Sequence, residues 1–277
     1  TAPAATASQS DDRPAWQRYA RPFDDAERRP RLAVVITGLG LSSAATEAAI
    51  RRLPPEISLS FSPYARGLNE WLTLARANGH EVLIDLPMEP ANFPADDPGP
   101  QALLTSLDES QNLERLAWVL QRGSGYVGVV STMGARFTLS PEHLRPVLEQ
   151  VKKEGLMLLD SRTTDGSLAG PIAAEIGLPV TVSDRALDVQ QASSVAIDAN
   201  LIYVERQALA EGAALAIGQP YPVTIERLVE WSGELDGHGI ALVPVTAIVG
   251  KQHIRPLVST SKTGAASSTP QPTEPTQ

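Results

Sequence analysis

Short apolar runs alternate with helical patterns along most of the chain, and this alternation limits the fold more than any other feature of the sequence. The runs are separated by enough chain for a helix and two turns, as in strand-helix-strand units. Several of them, such as LAVVI and ALAIG, are apolar at nearly every position, as a parallel sheet covered on both faces requires. The predicted strands cover residues 32–36, 57–61, 82–86, 126–130, 156–159, 180–182, 213–217 and 240–245.

Helix signals lie between these runs. Ser42 or Ser43, Ser110, Ser140 and Thr224 stand where helix N-caps belong, each just before an amphipathic stretch. Seven or eight strand-helix units of this kind favour a closed (β/α)7-8 barrel, although an open doubly wound sheet has the same local pattern. The predicted fold class is therefore α/β, with the barrel preferred on the number of units.

The two ends of the chain differ in composition from the segment between them. Residues 1–30 are predicted to be a linker followed by a short peripheral segment, in which Trp16, Tyr19 and Phe23 recur at helical spacing. Residues 31–250 form the predicted barrel domain. Residues 251–277 are dominated by Ser, Thr, Pro and Gln and are predicted to be a disordered tail.

Charge and composition exclude several classes of function. The chain has 32 acidic and 23 basic residues, a formal charge of −9, which disfavours binding to nucleic acids. No apolar run is long enough to span a membrane. The absence of cysteine excludes disulfides and thiolate chemistry. The chain starts at Thr1 rather than Met, which suggests processing or truncation, with a signal peptide or membrane anchor as a possible preceding segment.

In a barrel of this type, catalytic side chains come from the carboxyl ends of the strands and the loops that follow them. Here those loops contain carboxylates, arginines, hydroxyls and tyrosines but no histidine. The four histidines lie elsewhere and are expected to be solvated or locally hydrogen-bonded: His80, His143, His238 and His253. A conventional histidine-ligated metal site is therefore not expected at the strand ends.

Five segments stand out in order along the chain: FSPYARGL (61–68), HEVLIDLPMEP (80–90), MGARFT (133–138), LLDSRTT (158–164) and IGQPYP (217–222). Together they resemble the divergent polysaccharide deacetylases, from about residue 31 to residue 248. The resemblance implies a distorted (β/α) barrel of the carbohydrate deacetylase type. It also implies a bacterial envelope protein, periplasmic or otherwise extracytoplasmic, with possible anchoring by a removed N-terminal segment.

The sequence departs from that family where the resemblance implies metal chemistry. Thr37 and Gly38 stand where the family has two aspartates, a base and a metal ligand. Asp85, Thr132 and Gln219 stand where it has histidines. Zinc needs about three protein ligands and an open position for water. The resemblance implies ligands at positions 38, 85 and 132, and of the residues there, Gly38, Asp85 and Thr132, only Asp85 could bind zinc. We therefore expect no metal, no cofactor and no metal-dependent deacetylation, so that the chain is predicted to be a pseudoenzyme.

The remaining polar side chains of the strand-end loops are the candidates for a site. The catalytic candidates are Asp85, Glu89 and Asp160. Asp160 and Arg162 are expected to form a charge-assisted pair. The alternative for the charged residues is a purely structural or solvated role, and tyrosines next to prolines commonly only fix loops. The binding candidates are Tyr64, Arg136, Arg162, Asp188, Gln219 and Tyr221.

Three functions remain open on the sequence alone. The first is a catalytically inactive member of the family that binds a cell-wall glycan or an envelope protein. The second is a carbohydrate hydrolase in which carboxylates act by a different mechanism, using Asp85, Glu89, Asp160 and Asp188. The third is a structural envelope partner whose cleft is vestigial. The resemblance alone provides the link to the envelope, because a fold does not fix a function.

Overall fold

The structure, a computed structural model, describes residues 11–188 and 192–254. Its strands are β1 (Arg31–Leu39), β2 (Ser58–Phe61), β3 (Val82–Pro87), β4 (Gly128–Thr132), β5 (Met157–Asp160), β6 (Val180–Val182), β7 (Arg185–Ala186), β8 (Ala213–Gly218) and β9 (Ala241–Leu242). Its α-helices are α1 (Ala15–Arg18), α2 (Ser43–Arg52), α3 (Leu68–Ala77), α4 (Glu109–Leu120), α5 (Pro141–Lys153), α6 (Ala169–Ile176), α7 (Ser194–Glu211) and α8 (Pro222–Ser232). Two 3-10 helices span Phe137–Leu139 and Val245–Ile248.

The strands form one parallel sheet in the order β6-β5-β4-β3-β2-β1-β8-β7, and β9 also pairs with β1. The consecutive strands β6 and β7 lie at opposite ends of this order. The amide of Ser183 donates to the carbonyl of Asp160 at 2.8 Å, and the amide of Asp184 donates to the carbonyl of Leu215 at 2.8 Å. One bent segment therefore bonds first to β5 and then to β8, so the sheet is curled. The predicted α/β barrel-type fold is confirmed in this distorted form.

Two apolar layers follow from the alternation of side chains along the strands. An outer layer packs the convex face of the sheet against the helices and includes Leu32, Val34 and Ile36 of β1. An inner layer contains Ala33 and Val35 of the same strand together with residues of β3, β5 and β8. This inner layer fills the barrel, and the next inward positions toward the strand ends are polar.

The opposite end of the barrel is closed by the two ends of the described chain. Val245 and Ile248 of the second 3-10 helix are part of the inner layer. Glu81, which is 1% exposed, accepts hydrogen bonds from the amide of Arg21 at 2.8 Å and from the amide and hydroxyl of Thr246. Burial raises the pKa of Glu81 above its usual range, against the effect of these bonds. One buried carboxylate thus joins the N-terminal segment to the C-terminal plug.

Gln252 compensates for the gap where β6 turns away from β8. Its side-chain oxygen accepts from the amide of Val182 at 2.9 Å, and its side-chain nitrogen donates to the carbonyl of Val182 at 2.7 Å. The same nitrogen contacts Oδ2 of Asp184 at 3.0 Å. An amide side chain therefore takes the place of a missing strand partner.

The structure differs from the sequence predictions at a few boundaries. The run at 240–245 was expected to be a full strand, but only Ala241 and Leu242 pair, because the chain turns into the plug immediately afterwards. The N-cap of α4 is Asp108, two residues before the predicted cap Ser110, since Asp108 and Gln111 form a capping box. Residues 1–10 and 255–277, which include most of the predicted linker and tail, lie outside the described residues. Within the described part of the chain, no helix combines the length and hydrophobicity that a membrane span needs.

Candidate functional site

Asp85 is a buried carboxylate at the carboxyl ends of the strands, which we call the strand-end face. It follows Leu83 of the inner layer by two positions on β3, so its carboxylate points into the barrel and is only 5% exposed. Oδ1 accepts from the hydroxyl of Ser60 at 2.5 Å, and Oδ2 accepts from the amide of Gly38 at 2.9 Å. Burial raises the pKa of Asp85 to about 6, although both hydrogen bonds act to lower it. Within residues 11–188 and 192–254, no cationic side chain is among the groups that shift this pKa.

Thr37 and Gln219 form a second polar pair at this face. The side-chain nitrogen of Gln219 donates to Oγ1 of Thr37 at 2.8 Å, and Thr37 is buried at the end of β1. Gly38 has a φ of +76°, and a Cβ there would lie 3.1 Å from Oε1 of Gln219. The close approach of the Gln219 amide therefore depends on a glycine at position 38.

Thr132 ends β4 and is partly exposed, with its carbonyl accepting from the amide of Met88 at 2.9 Å. Thr37, Gly38, Asp85 and Gln219 are thus linked in two bonded pairs, and Thr132 lies at the end of the strand next to that of Asp85. Across residues 11–188 and 192–254, no group of three or more histidine, cysteine or acidic side chains is placed to hold a metal ion.

Glu89 and Arg136 form an ion pair in the loops that follow β3 and β4. Arg136 NH1 lies 3.0 Å from Oε1 of Glu89, while the amide and hydroxyl of Thr105 both donate to Oε2 at 2.6 Å. Burial acts to raise the pKa of Glu89, but the bonds from Thr105 and Arg136 outweigh it and hold the pKa below its usual range. Glu89 therefore ties the loop after β3 to the loop after β4.

The side chain of Asp160 points outward toward the helices, whereas that of Asp85 points into the barrel. It follows Leu158 of the outer layer by two positions on β5, and its Oδ2 accepts from the hydroxyl of Ser167 at 2.8 Å and from the amide of Gly170 at 3.1 Å. Gly170 lies in the first turn of α6, so the carboxylate sits at a helix N-terminus. Asp160 is 1% exposed and faces the helix layer rather than the interior of the barrel.

The predicted charge-assisted pair between Asp160 and Arg162 is wrong. The backbone amide of Arg162, rather than its guanidinium, donates to Oδ1 of Asp160 at 3.0 Å. Arg162 has a φ of +48°, which turns its amide toward the carboxylate and its side chain outward. The exposed side chain borders a surface cavity of about 490 Å³ that is also lined by Asp184, Glu211 and Gln252.

Asp188 is buried beneath the loop after β8. Its Oδ2 accepts from the amide of Gln219 at 2.9 Å and from the hydroxyl of Thr224 at 2.7 Å. Within the part of the chain that the structure describes, Oδ1 has no hydrogen-bond partner. Burial raises the pKa of Asp188 above its usual range. Asp188 thus fixes the backbone of Gln219 through the hydrogen bond to its amide.

The two candidate tyrosines differ in what they can do. The hydroxyl of Tyr64 accepts from the amide of Gln101 at 3.1 Å, and its ring packs on Trp118 at 5.7 Å between centroids. This tyrosine fixes a loop. Tyr221 is 46% exposed and comes two residues after Gln219, at the N-cap of α8. Its exposed ring is available to a ligand at the carboxyl ends of the strands.

Sequence reasoning did not identify Ser60 as the partner of Asp85. The signal was present in β2, because Ser58, Ser60 and Ser62 alternate with apolar residues and period-two alternation places them on one face. All three serines are buried, two on the strand next to that of Asp85 and Ser62 directly after it.

A curled parallel sheet with polar side chains at the carboxyl ends of its strands defines a protein of the (β/α)-barrel class. The family model described as "Divergent polysaccharide deacetylase" matches residues 34–249, and the chain belongs to that family.

Three similar proteins place the chain among its relatives. An uncharacterized protein of Haemophilus influenzae is 31% identical over 205 residues, which is 70% of this chain and 68% of the relative. The uncharacterized protein YibQ of Escherichia coli is 27% identical over 227 residues, 81% of this chain and 69% of the relative. The crystal structure of the uncharacterized protein ATU2773 from Agrobacterium tumefaciens is similar with a TM-score of 0.82 at 36% identity, covering 85% of this chain and 95% of that one.

Proposed function

We propose that this chain binds a glycan at the strand-end face and does not act as a metal-dependent deacetylase. The observation that carries the proposal is that hydrogen-bond donors of the protein itself already bond to the side chains at the family's metal positions. Gly38 donates to Asp85 and Gln219 donates to Thr37, and the exposed Tyr221 follows Gln219 by two residues. The proposed place of action is the cell envelope, on the outer side of the inner membrane.

The side chains at these positions do not fit a zinc ion. Zinc sites in proteins use thiolate, imidazole and carboxylate ligands, commonly three of them in a catalytic site. Here the positions offer two hydroxyls, one amide, one glycine and a single carboxylate, and both oxygens of that carboxylate already accept hydrogen bonds. The strand-one base is also replaced, by Thr37, which cannot deprotonate a water at neutral pH.

A carboxylate-based hydrolase gains little support from the same arrangement. Glycosidases need two carboxyl groups facing one bond across an open groove. Asp85 points into the barrel, Asp160 faces α6 on the outside, and Glu89 is held by Thr105 and Arg136. These carboxylates serve different parts of the fold.

The groups that remain at the surface suit a sugar. Tyr221 offers a ring face, the partly exposed Gln219 offers an amide two residues before it, and the partly exposed Thr132 offers a hydroxyl at the end of β4. Sugars pair an apolar face with hydroxyls, and a ring with a few polar groups matches both.

Replacing Tyr221 with alanine is expected to weaken glycan binding about fivefold to tenfold, since an aromatic contact contributes about 1 kcal/mol. Titration calorimetry with soluble N-acetylated glucosamine oligomers and peptidoglycan fragments measures the change. Tyr203→Ala is the matched control, because Tyr203 is 42% exposed but lies on α7. Equal affinities for the two variants, or no binding by the unaltered chain, would remove the glycan proposal and leave the protein partner.

A further inference from the structure

Helix α7 carries apolar side chains on the face that points away from the domain. Ile197, Leu201, Val204 and Ala208 are buried against the core. On the opposite side, Val195, Ile202 and Leu209 are 78%, 49% and 55% exposed. These three residues are spaced by seven, with Ala199 and Arg206 between them, which is the spacing of a helix that packs along a second helix. We call these five residues the α7 seam.

The seam cannot turn inward, because bonds on the flank of the helix fix its rotation. Arg227 of α8 binds Asp198 at 2.6 Å, and the indole nitrogen of Trp231 donates to Glu205 at 2.6 Å. The side chain of Asn200 donates to the carbonyl of Leu187 at 2.8 Å. Single exposed apolar residues are ordinary, but an aligned row of them on a fixed helix indicates a binding surface.

We propose that the α7 seam binds the α7 seam of a second copy of this chain, antiparallel and around a two-fold axis at Ile202. In this arrangement Ile202 faces its own copy and Val195 faces Leu209. Such an interface is self-complementary, as a two-fold dimer requires. Because the two helices run in opposite directions, their dipoles attract each other.

Charge complementarity selects the antiparallel arrangement. Arg206 is exposed and makes no ion pair within residues 11–188 and 192–254. The antiparallel register places it opposite Asp198 of the second copy, whose side chain is 38% exposed and is held by Arg227. A parallel register would instead bring the two Arg206 side chains together, which like-charge repulsion opposes.

The absence of cysteine from this chain makes the register directly testable by disulfide cross-linking. Under mild oxidation, Ile202→Cys is expected to form a covalent dimer, while Val195→Cys alone stays monomeric. A mixture of Val195→Cys and Leu209→Cys is expected to cross-link. Self-cross-linking of Val195→Cys, or no cross-link from Ile202→Cys, would overturn the antiparallel pairing.

Sedimentation velocity over a range of concentrations tests the seam without cross-linking. A seam about 21 Å long, from Val195 to Leu209 at about 1.5 Å per residue, is small, so a weak dimer is expected at roughly micromolar to millimolar concentration. Ile202→Glu and Arg206→Glu should each weaken the dimer at least about tenfold, while Leu41→Glu, at an exposed apolar site after β1, should leave it unchanged. Equal weakening by Leu41→Glu, or a single-chain mass for the unaltered protein throughout, would overturn the proposal. The circular dichroism melting curve of each variant verifies that it is folded.

Discussion

Replacing Asp160 with alanine is expected to lower the free energy of unfolding by about 3 kcal/mol. The carboxylate is buried and accepts from the backbone amides of Arg162 and Gly170 and from the hydroxyl of Ser167. Alanine would leave those buried donors without an acceptor, at about 1 to 3 kcal/mol for each unsatisfied group. It would also remove a negative charge from the N-terminus of α6. Chemical denaturation measures the loss.

The side chain of Arg162 provides the control for this variant. Only its backbone amide bonds to Asp160, and its φ of +48° is strained for a residue with a side chain. Arg162→Gly is therefore expected to be neutral or stabilising by up to about 1 kcal/mol, and the double variant should be additive within about 0.5 kcal/mol. A loss below about 0.5 kcal/mol in Asp160→Ala, typical of surface changes, would show that this carboxylate does not hold α6.

Replacing Asp85 with asparagine is expected to raise the free energy of unfolding at pH 7 by about 3 kcal/mol. The folded pKa is about 6, against an ordinary value of 3.8, and each unit of difference corresponds to about 1.4 kcal/mol. An asparagine side chain satisfies both partners, since its oxygen can accept from Gly38 and its nitrogen can donate to Ser60. The fold therefore needs the shape of this side chain but not its charge.

The sign of this effect also predicts its pH dependence. Because the folded pKa of Asp85 is raised, the stability linked to its protonation is fully present below pH about 4 and is lost as pH rises through about 6. The variant should lack this decline, so the two stability curves should converge toward acid pH and separate toward neutral pH. Asp165→Asn, at an exposed aspartate, is the control and should change stability by less than about 0.5 kcal/mol. Parallel curves for the unaltered chain and Asp85→Asn would contradict the buried, cation-free setting of Asp85.

The strands could be predicted from the sequence because each is a continuous apolar run, and the positions of β1 to β6 and β8 follow the predicted runs within a few residues. Because the runs are apolar at nearly every position, the sequence did not show whether a side chain at a strand end points into the barrel or toward the helices. Asp85 and Asp160 both follow apolar runs, yet one faces the barrel interior and the other faces α6. A strand apolar on both faces has no alternation from which to tell inside from outside.

The parts of the site that sequence reasoning could not predict depend on long-range polar contacts. Gln252 bonds to Val182, and Gln219 bonds to Thr37, each pair being far apart in the chain. No local pattern marks such partners. The family resemblance did single out Thr37, Gly38, Asp85 and Gln219 at the strand ends, and there the structure joins them as two bonded pairs.

The zinc content of the purified chain tests the central claim most directly, namely that this family member has no metal-dependent deacetylase site. The protein is loaded with excess zinc, exchanged into metal-free buffer without chelator and measured by elemental analysis, with Asp85→Asn in parallel. The account predicts far less than one zinc per chain for both proteins, because the family positions supply a single carboxylate that is already bonded to Ser60 and Gly38. One zinc per unaltered chain, lost in Asp85→Asn, would contradict it.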